Sequence, residues 1–283
     1  MKTKASNLIF FNVSIVALLL LLEGCAGVQP TGYRVTTQNV PMLEEAGEVQ
    51  GHLAVGLNHS ELIGAISPIK HIGVISSNYS NELGSSTEYG IGPYYAFRNG
   101  LRIEAYASAG RAYYFEEFGK ERYGIATGSG RMTYHHSMVD FAYNKKNLQL
   151  NVGLKTDYGT FALSGKWTRA YYDHYTYLSE TYSRETWSTP LRMNTYFYNS
   201  FGKTTYDLAS LAFTYSYKVK WFYCQTQCSL TTFVRGKMPF EPHNEFYRPI
   251  LISTSVGIDL NVFRARHKET KKRTYNNIKD DKL

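Results

Sequence analysis

The residues of this chain best suited to catalysis are His135, His136 and Ser137, which stand side by side in the sequence. A serine hydrolase needs a serine, a histidine that takes its proton and an acid that orients the histidine, all brought together. Nothing marks one serine here as a nucleophile, and neighbouring residues of a strand point to opposite faces. We therefore predict no catalytic residues and no enzymatic activity.

The same two histidines could bind a metal ion together with His174 or Glu121 if neighbouring loops met. The spacing of these residues matches no diagnostic ligand pattern, so the sequence predicts exposed loop histidines and no metal site. The glycine-rich run from Gly124 to Gly130 does not lead from a strand into a helix, as a phosphate-binding loop does. We interpret this run as the tip of an external loop, and we predict no cofactor.

Cys25 is the residue whose position indicates a covalent modification. Lys2 and Lys4 precede a hydrophobic run that ends at Leu22, and Gly24 stands directly before the cysteine. A basic start, a short apolar core and a small residue before the cleavage point are typical of a secretory signal peptide. A cysteine at that point resembles the lipobox of bacterial lipoproteins, which implies cleavage before Cys25 and diacylglycerol, with acyl chains such as palmitate, in a thioether on its sulfur. An ordinary cleaved signal or an uncleaved anchor is the alternative.

Four regions follow from this interpretation. Residues 1–24 form the lipoprotein signal peptide, and residues 25–45 form a lipidated polar tether. Residues 46–263 form the body of the protein, and residues 264–283 form a basic tail, which holds much of the net charge of +8. A nucleic-acid-binding protein needs a basic structured face, so we predict no nucleic-acid partner. We expect a solvated, disordered tail, with contact to anionic headgroups or cell-wall polymer as the alternative.

Apolar and polar residues alternate in several segments of the body, which predicts β-strands with two different faces. In residues 147–155, for example, Leu and Val take one parity and Gln, Asn and Gly take the other. Polar faces of Gly, Ser, Asn and Gln suit a narrow barrel lumen better than an open solvent face. Aromatic residues, including Tyr113, Trp167 and Trp221, fall near the proposed strand ends, where membrane interfaces favour them.

The pattern predicts an all-β fold, an antiparallel transmembrane β-barrel of about ten strands. The predicted strands are about 46–57, 59–69, 71–80, 86–97, 101–115, 137–154, 159–172, 206–217, 219–233 and 249–263. Short connections near residues 70, 98–100, 156–158 and 218 alternate with longer ones at 81–85, 116–136, 173–205 and 234–248. Short periplasmic turns and long external loops are typical of outer-membrane barrels. An even number of strands places both chain termini of the barrel on the short-turn side, in the periplasm.

Cys224 and Cys228 allow two interpretations. In one continuous strand, residues four apart point the same way at about 13 Å, too far for a disulfide. A bulge or turn at residues 225–227 would bring them together, and the oxidising compartment would then permit the bond.

Three short motifs resemble a known family. The run from Asn39 to Val49 looks like the start of uncharacterised Bacteroidota outer-membrane β-barrel lipoproteins, in which a VPLxxExGE segment leads into the first strand. Residues 68–74 are similar to their PxxHIGV turn between the second and third strands, and residues 217–220 sit where they carry a turn before the penultimate strand. The resemblance implies a barrel in the cell envelope and implies no activity.

The predicted loop at 173–205 is the best candidate for binding a partner. The candidate ligand-binding residues are Tyr175, Tyr177, Tyr182, Arg184, Trp187 and Arg192. Tyr, Trp and Arg dominate binding hot spots, and aromatic faces also stack on sugar rings. A loop that only packs over the barrel mouth is the alternative.

The sequence thus predicts a non-enzymatic outer-membrane lipoprotein with a structural or surface-binding role. Its expected partners are outer-membrane lipids and a surface glycan or protein ligand. A barrel enzyme acting on lipid or glycan and a soluble periplasmic β-sandwich lipoprotein are the alternatives. Because the tether and the first strand begin on the periplasmic side, the lipid on Cys25 is expected in the periplasmic leaflet. A lumen filled by side chains would also prevent free diffusion of solutes.

Overall fold

The alternating segments form eleven antiparallel strands. The structure is a computed structural model and describes residues 33, 35–56, 59–81, 83–123, 132–184, 190, 192–219, 221–235 and 250–261. The strands are β1 (Glu48–Gly56), β2 (His59–Ile69), β3 (Ile72–Asn81), β4 (Gly84–Ala96), β5 (Leu101–Tyr123), β6 (Met132–Thr156), β7 (Gly159–Arg184), β8 (Arg192–Phe201), β9 (Thr204–Val219), β10 (Phe222–Arg235) and β11 (Ile250–Asn261).

The sheet closes on itself because β1 pairs with β11, from Glu48 opposite Asn261 to Gly56 opposite Ser253. Strands β8 and β9 share one position in the wall, because both pair with β7. Strand β9 pairs with the first half of β7 and β8 pairs with the second half. The barrel therefore has ten strand positions, and the predicted all-β antiparallel barrel is confirmed.

Tight connections lie together at one end of the barrel, which we call the short-turn end. They follow β2, β4, β6 and β9, as predicted. In the turn after β4, Gly100 adopts a positive φ of 88°, and a side chain there would meet the Lys155 carbonyl. Glycine fits this turn because it enters the left-handed region without steric cost. The opposite end is called the long-strand end.

The outward face of the barrel carries exposed aliphatic and aromatic side chains around its circumference. Examples on five strands are Leu53, Leu150, Leu163, Leu211 and Val256, each more than half exposed. A band of this extent would be costly in water and matches the hydrocarbon core of a bilayer. The closed barrel therefore excludes the alternative of a β-sandwich.

Charged side chains mark the limit of this band toward the long-strand end. The Arg169 guanidinium lies over the Trp167 ring at 5.0 Å, and the Lys146 amine lies over the Tyr171 ring at 5.8 Å. Aromatic and basic side chains favour this depth, where the hydrocarbon meets the headgroups. Strands β5 to β8 continue beyond this level as a four-stranded sheet. We call this sheet, residues 112–123, 132–144, 170–184 and 192–201, the strand extension.

The strand extension corrects two predictions. Most of the predicted loops at 116–136 and 173–205 is paired strand, since β5 continues to Tyr123, β6 starts at Met132 and β8 occupies Arg192–Phe201. The sequence pattern missed these strands because apolar alternation stops where lipid contact stops. Backbone pairing continues past that point, since Tyr, Thr and Phe retain a high preference for strands.

Cys224 and Cys228 are free thiols on the outward face of β10. The pairing of β10 with β9 runs without interruption from Cys224 to Cys228, so no bulge brings the two sulfurs together. This confirms the continuous-strand interpretation. No helix in the described part of the chain is long and apolar enough to span a membrane. Cys25, the glycine-rich run at 124–130 and the predicted tail at 264–283 lie outside the described residues.

Candidate functional site

The lumen of the barrel is occupied by the chain's own N-terminal segment. Residues 35–46, here called the lumen segment, precede β1, and Gln38, Val40 and Leu43 are almost completely buried. Hydrogen bonds join the segment to side chains or backbone of β2, β3, β5, β6, β7 and β10. The prediction of a polar tether over residues 25–45 is therefore wrong for its described part.

The two ends of the lumen segment contact opposite ends of the barrel. Tyr33, just before the segment, stacks on Tyr143 with ring centroids 5.6 Å apart, close to the long-strand end. Near the other end of the segment, the Glu44 carboxylate accepts a hydrogen bond from the Lys155 amine at 2.6 Å and pairs with Arg102. Lys155 and Arg102 flank the short turns. The chain therefore runs through the lumen from the long-strand end to the short-turn end.

Glutamine side chains hold the middle of the segment as a neighbouring strand would. The Gln38 N–H donates to Gln227 Oε1 at 2.7 Å, and Gln227 Nε2 donates back to the Gln38 carbonyl at 3.0 Å. The Gln38 side chain also accepts a bond from the Ser164 hydroxyl at 2.6 Å. Because buried backbone groups must be paired, these amides make it possible for an isolated extended chain to lie inside the barrel.

Asn39 continues this pattern with other strands of the wall. Its side-chain nitrogen donates to the Gly64 carbonyl at 2.7 Å and to the Ser76 carbonyl at 3.2 Å. Its own carbonyl accepts a bond from Gln149 Nε2 at 2.6 Å. The Asn and Gln faces that the sequence assigned to a polar lumen therefore bind protein backbone.

Carboxylates and a guanidinium fix the part of the segment nearest the short-turn end. The Leu43 N–H donates to Glu104 Oε1 at 2.7 Å, and Arg102 donates to the Met42 carbonyl at 3.0 Å. Met42 has a positive φ of 54°, which is uncommon for a residue other than glycine. Both bonds go to the peptide group that joins Met42 to Leu43, and they hold this kink in place.

A buried ionic cluster lies beside the lumen segment. The Glu88 carboxylate accepts bonds from the Lys166 amine at 2.8 and 2.9 Å and pairs with the Lys145 amine at 3.0 Å. A second buried carboxylate, Glu61, accepts the Thr37 N–H at 2.9 Å and interacts electrostatically with both lysines. Two acids and two bases give a neutral group, which is the form in which charges tolerate burial.

Close packing leaves little space around the segment. A side chain at Gly153 would lie 2.5 Å from the Met42 sulfur, and one at Gly73 would lie 2.8 Å from Leu43 Cδ1. A void of about 10 Å³ remains beside Thr37 and Asn39, hardly enough for one water molecule. This part of the lumen is therefore filled by protein.

An aromatic cluster surrounds the entrance of the segment into the barrel. Its members are Tyr33, Ala112, Tyr114, Val139, Phe141, Tyr143, Ala170, Tyr172, Tyr175, Tyr177, Tyr206 and Leu208. Phe141 is at its centre, with ring contacts to Tyr114, Tyr143, Tyr172 and Tyr175 at 5.3 to 6.2 Å. These rings line the inner face of the strand extension and the adjoining lumen.

The structure places the predicted ligand-binding residues in different environments. Tyr175 and Tyr177 are buried in the aromatic cluster and offer no face to an external ligand. Tyr182 lies on β7 opposite Met193, whereas Arg192 lies on β8 opposite Ser183 and is exposed. Arg184 ends β7 with its side chain outside the description, and Trp187 lies outside the described residues.

The histidines lie on β6 and β7 rather than in loops. His136 Nε2 lies 2.9 Å from Glu117 Oε1, and His136 Nδ1 lies 3.2 Å from Glu180 Oε2. The hydrogen bond to Glu117, with help from Glu180, raises the pKa of His136 above its usual range. Both ring nitrogens therefore face carboxylates and not a serine hydroxyl.

No metal site is found in the described part of the chain. The two carboxylates beside His136 lie at different ring nitrogens and do not converge on one point. His135 contacts the Thr181 hydroxyl at 3.0 Å, and His174 contacts Asp140 at 3.2 Å, so the three histidines have separate partners. Among the described residues, no group of three or more His, Cys, Asp or Glu could hold a metal ion.

The fold, with its apolar outer band and polar lumen, defines this protein as an antiparallel β-barrel of the outer-membrane type. No family model matches the chain, and no curated protein matches it.

Two solved structures share a weak likeness. A CymD monoaromatic hydrocarbon channel is 9% identical, with 77% of this chain and 89% of that chain covered at a TM-score of 0.24. CarO of Acinetobacter baumannii is 10% identical, with 76% and 97% covered at a TM-score of 0.19. At these values neither structure informs the function of this chain.

Proposed function

We propose that this protein is a non-enzymatic outer-membrane lipoprotein whose closed barrel presents the strand extension at the cell surface. The observation that carries the proposal is the occupied lumen. A channel needs a continuous aqueous path, whereas the lumen segment here is hydrogen-bonded to the wall along its length. A barrel that does not conduct serves as a membrane-embedded base for what it presents.

The strand extension supports a surface-binding role because it carries exposed aromatic side chains beyond the apolar band. On β8, Tyr196 and Tyr198 are more than half exposed, and Arg192 is exposed on the same strand. Tyrosine and arginine supply large contact areas and hydrogen bonds to proteins, and tyrosine rings also stack on sugars. A surface glycan or a protein ligand is the partner that these residue types favour.

Electrical recording in planar bilayers tests the closed lumen. The full-length protein should give no steady conductance, whereas deletion of residues 35–46 should open a conducting path. Steady conductance of the intact protein would contradict the proposal. Retention of the heat-dependent gel shift typical of folded barrels would show that the deletion variant is folded.

Surface exposure and lipidation need separate measurements. Protease added to intact cells should cut between β7 and β8 and leave the turn at 98–100 intact. Palmitate labelling should occur in the full chain and be lost in Cys25→Ser. Hydrolysis of lipid or glycan that disappears in His136→Ala or His174→Ala would favour an enzyme instead.

A further inference from the structure

The lumen segment shows at which end of the barrel the N-terminal chain enters. Tyr33 stacks on Tyr143 near the long-strand end, while Glu44 binds Lys155 beside the short turns. Tyr143 and Lys155 belong to the same strand, β6, and the strand rise places them roughly 40 Å apart. Tyr33 is therefore a full lumen length away from the short-turn end.

The chain preceding Tyr33 is too short to return through the barrel. The connection from Cys25 to Tyr33 spans at most about 28 Å when fully extended. At the usual strand tilt of about 40°, the roughly 40 Å of strand from Tyr143 to Lys155 corresponds to about 30 Å along the barrel axis, which a fully extended chain of this length does not quite cover. Packing opposes a return as well, since the void beside Thr37 and Asn39, in the middle of the lumen, is only about 10 Å³.

We propose that the chain before Tyr33 leaves the barrel at the long-strand end, so that Cys25 and its lipid lie at the outer leaflet. The inference rests on the proposed outer-membrane orientation, with the strand extension at the cell surface. It reverses the expectation of a lipid in the periplasmic leaflet. That expectation assumed that residues 25–45 stay on the side where β1 begins, and the buried lumen segment contradicts this premise.

The partner of the N-terminal chain at this end of the barrel is the lipid of the outer membrane. Tyr143 and Tyr172, which contact each other in the aromatic cluster, lie just beyond the level where Lys146 and Arg169 mark the end of the apolar band. A chain that emerges at this height has enough length to reach the neighbouring lipid. Acyl chains on Cys25 would then insert beside the barrel and hold its long-strand end against the bilayer.

Labelling of single cysteines in intact cells tests the proposal. The parent is Cys224→Ser/Cys228→Ser, and the three probes are Gln29→Cys, Tyr196→Cys in β8 and Lys70→Cys in a short turn. Each is treated with a membrane-impermeant maleimide before and after permeabilisation. We expect Gln29→Cys to react in intact cells at a level close to that of Tyr196→Cys, and Lys70→Cys to react only after permeabilisation.

The outcomes separate this inference from the proposed function. If Gln29→Cys reacts only when Lys70→Cys does, the proposed exit of the chain at the long-strand end is overturned. If Lys70→Cys reacts in intact cells and both Tyr196→Cys and Gln29→Cys do not, the orientation is wrong, and the proposed surface position of Cys25 falls with it. If the parent itself reacts, Cys25 carries no thioether, which contradicts lipidation but supports the surface position.

Discussion

Two regions of the lumen hold the N-terminal chain by different chemistry. In the middle and toward the short turns, glutamine, asparagine and carboxylate groups bond individual peptide groups of the lumen segment. At the long-strand end, aromatic rings surround Tyr33 and contact one another. Hydrogen bonds are directional, so a shift of the segment by one residue would leave buried groups unpaired. Ring contacts tolerate such shifts, so the polar region sets the register and the aromatic cluster supplies apolar burial.

The largest expected effect comes from the ionic cluster. Glu88→Gln removes the carboxylate shared by Lys145 and Lys166, and both amines are buried. The cluster then holds one buried positive charge in excess, which should lower the free energy of unfolding by about 3–5 kcal/mol, measured by urea unfolding in liposomes. Lys155→Ala, which breaks an exposed pair with Glu44, is the control and should cost below about 1 kcal/mol. Equal costs would contradict the special role of the buried cluster.

The aromatic cluster should give the next largest effect. Phe141→Ala removes a fully buried ring with four ring neighbours and should cost about 3 kcal/mol in the same experiment. Tyr196→Ala removes an exposed ring of the strand extension and should cost less than about 0.5 kcal/mol. Because the polar region sets the register, amide hydrogen exchange at residues 37–43 should stay slow in Phe141→Ala. Fast exchange there would show that the cluster also positions the segment.

A smaller effect is expected from the glutamine that pairs with the segment backbone. Gln227→Ala leaves the N–H and carbonyl of Gln38 without these partners and should cost about 1–3 kcal/mol. Hydrogen exchange at residues 37–39 should increase. Gln225→Ala is the matched control, because Gln225 is buried on the same face of β10 but bonds Tyr223. If both variants raise exchange equally, the backbone pairing is not specific.

The smallest effect concerns pH and the strand extension. Glu117 and Glu180 raise the pKa of His136 above its unfolded value, so the charged imidazolium is favoured in the folded state. This stabilisation is complete below the unfolded pKa of about 6.5 and is lost as the pH rises through the folded pKa. The melting temperature of the native protein minus that of His136→Gln should therefore fall with rising pH. A difference that grows with pH would contradict the ion pairs.

Much of the wall could be predicted from the sequence, because each residue that faces lipid must be apolar and its neighbours face a polar lumen. This alternation located strands such as β6, where Leu148 to Leu154 alternate with amides. It failed in the strand extension, where no lipid enforces an apolar face. The sequence consequently predicts a loop at Tyr175 and Tyr177, although both lie inside the aromatic cluster.

The lumen segment was missed for a different reason. Residues 35–46 form no strand, and their polar and glycine-poor sequence has no periodic pattern. The available signal was the apolar group Val40, Met42 and Leu43, which a tether in water has no reason to carry. The residues of the barrel wall that contact the segment depend on the register of several strands in three dimensions. The local spacing of residues in the sequence does not give this register.

The closure of β1 on β11 has a consequence for the order of assembly. The lumen segment is continuous with β1. It packs so closely against Gly73 and Gly153 that a larger side chain at either position would collide with it. A finished wall would have no opening through which this chain could be inserted past the buried lysines. The segment must therefore be enclosed while the sheet is still open, before the last strand meets the first. The N-terminal chain is thus the core around which the wall closes.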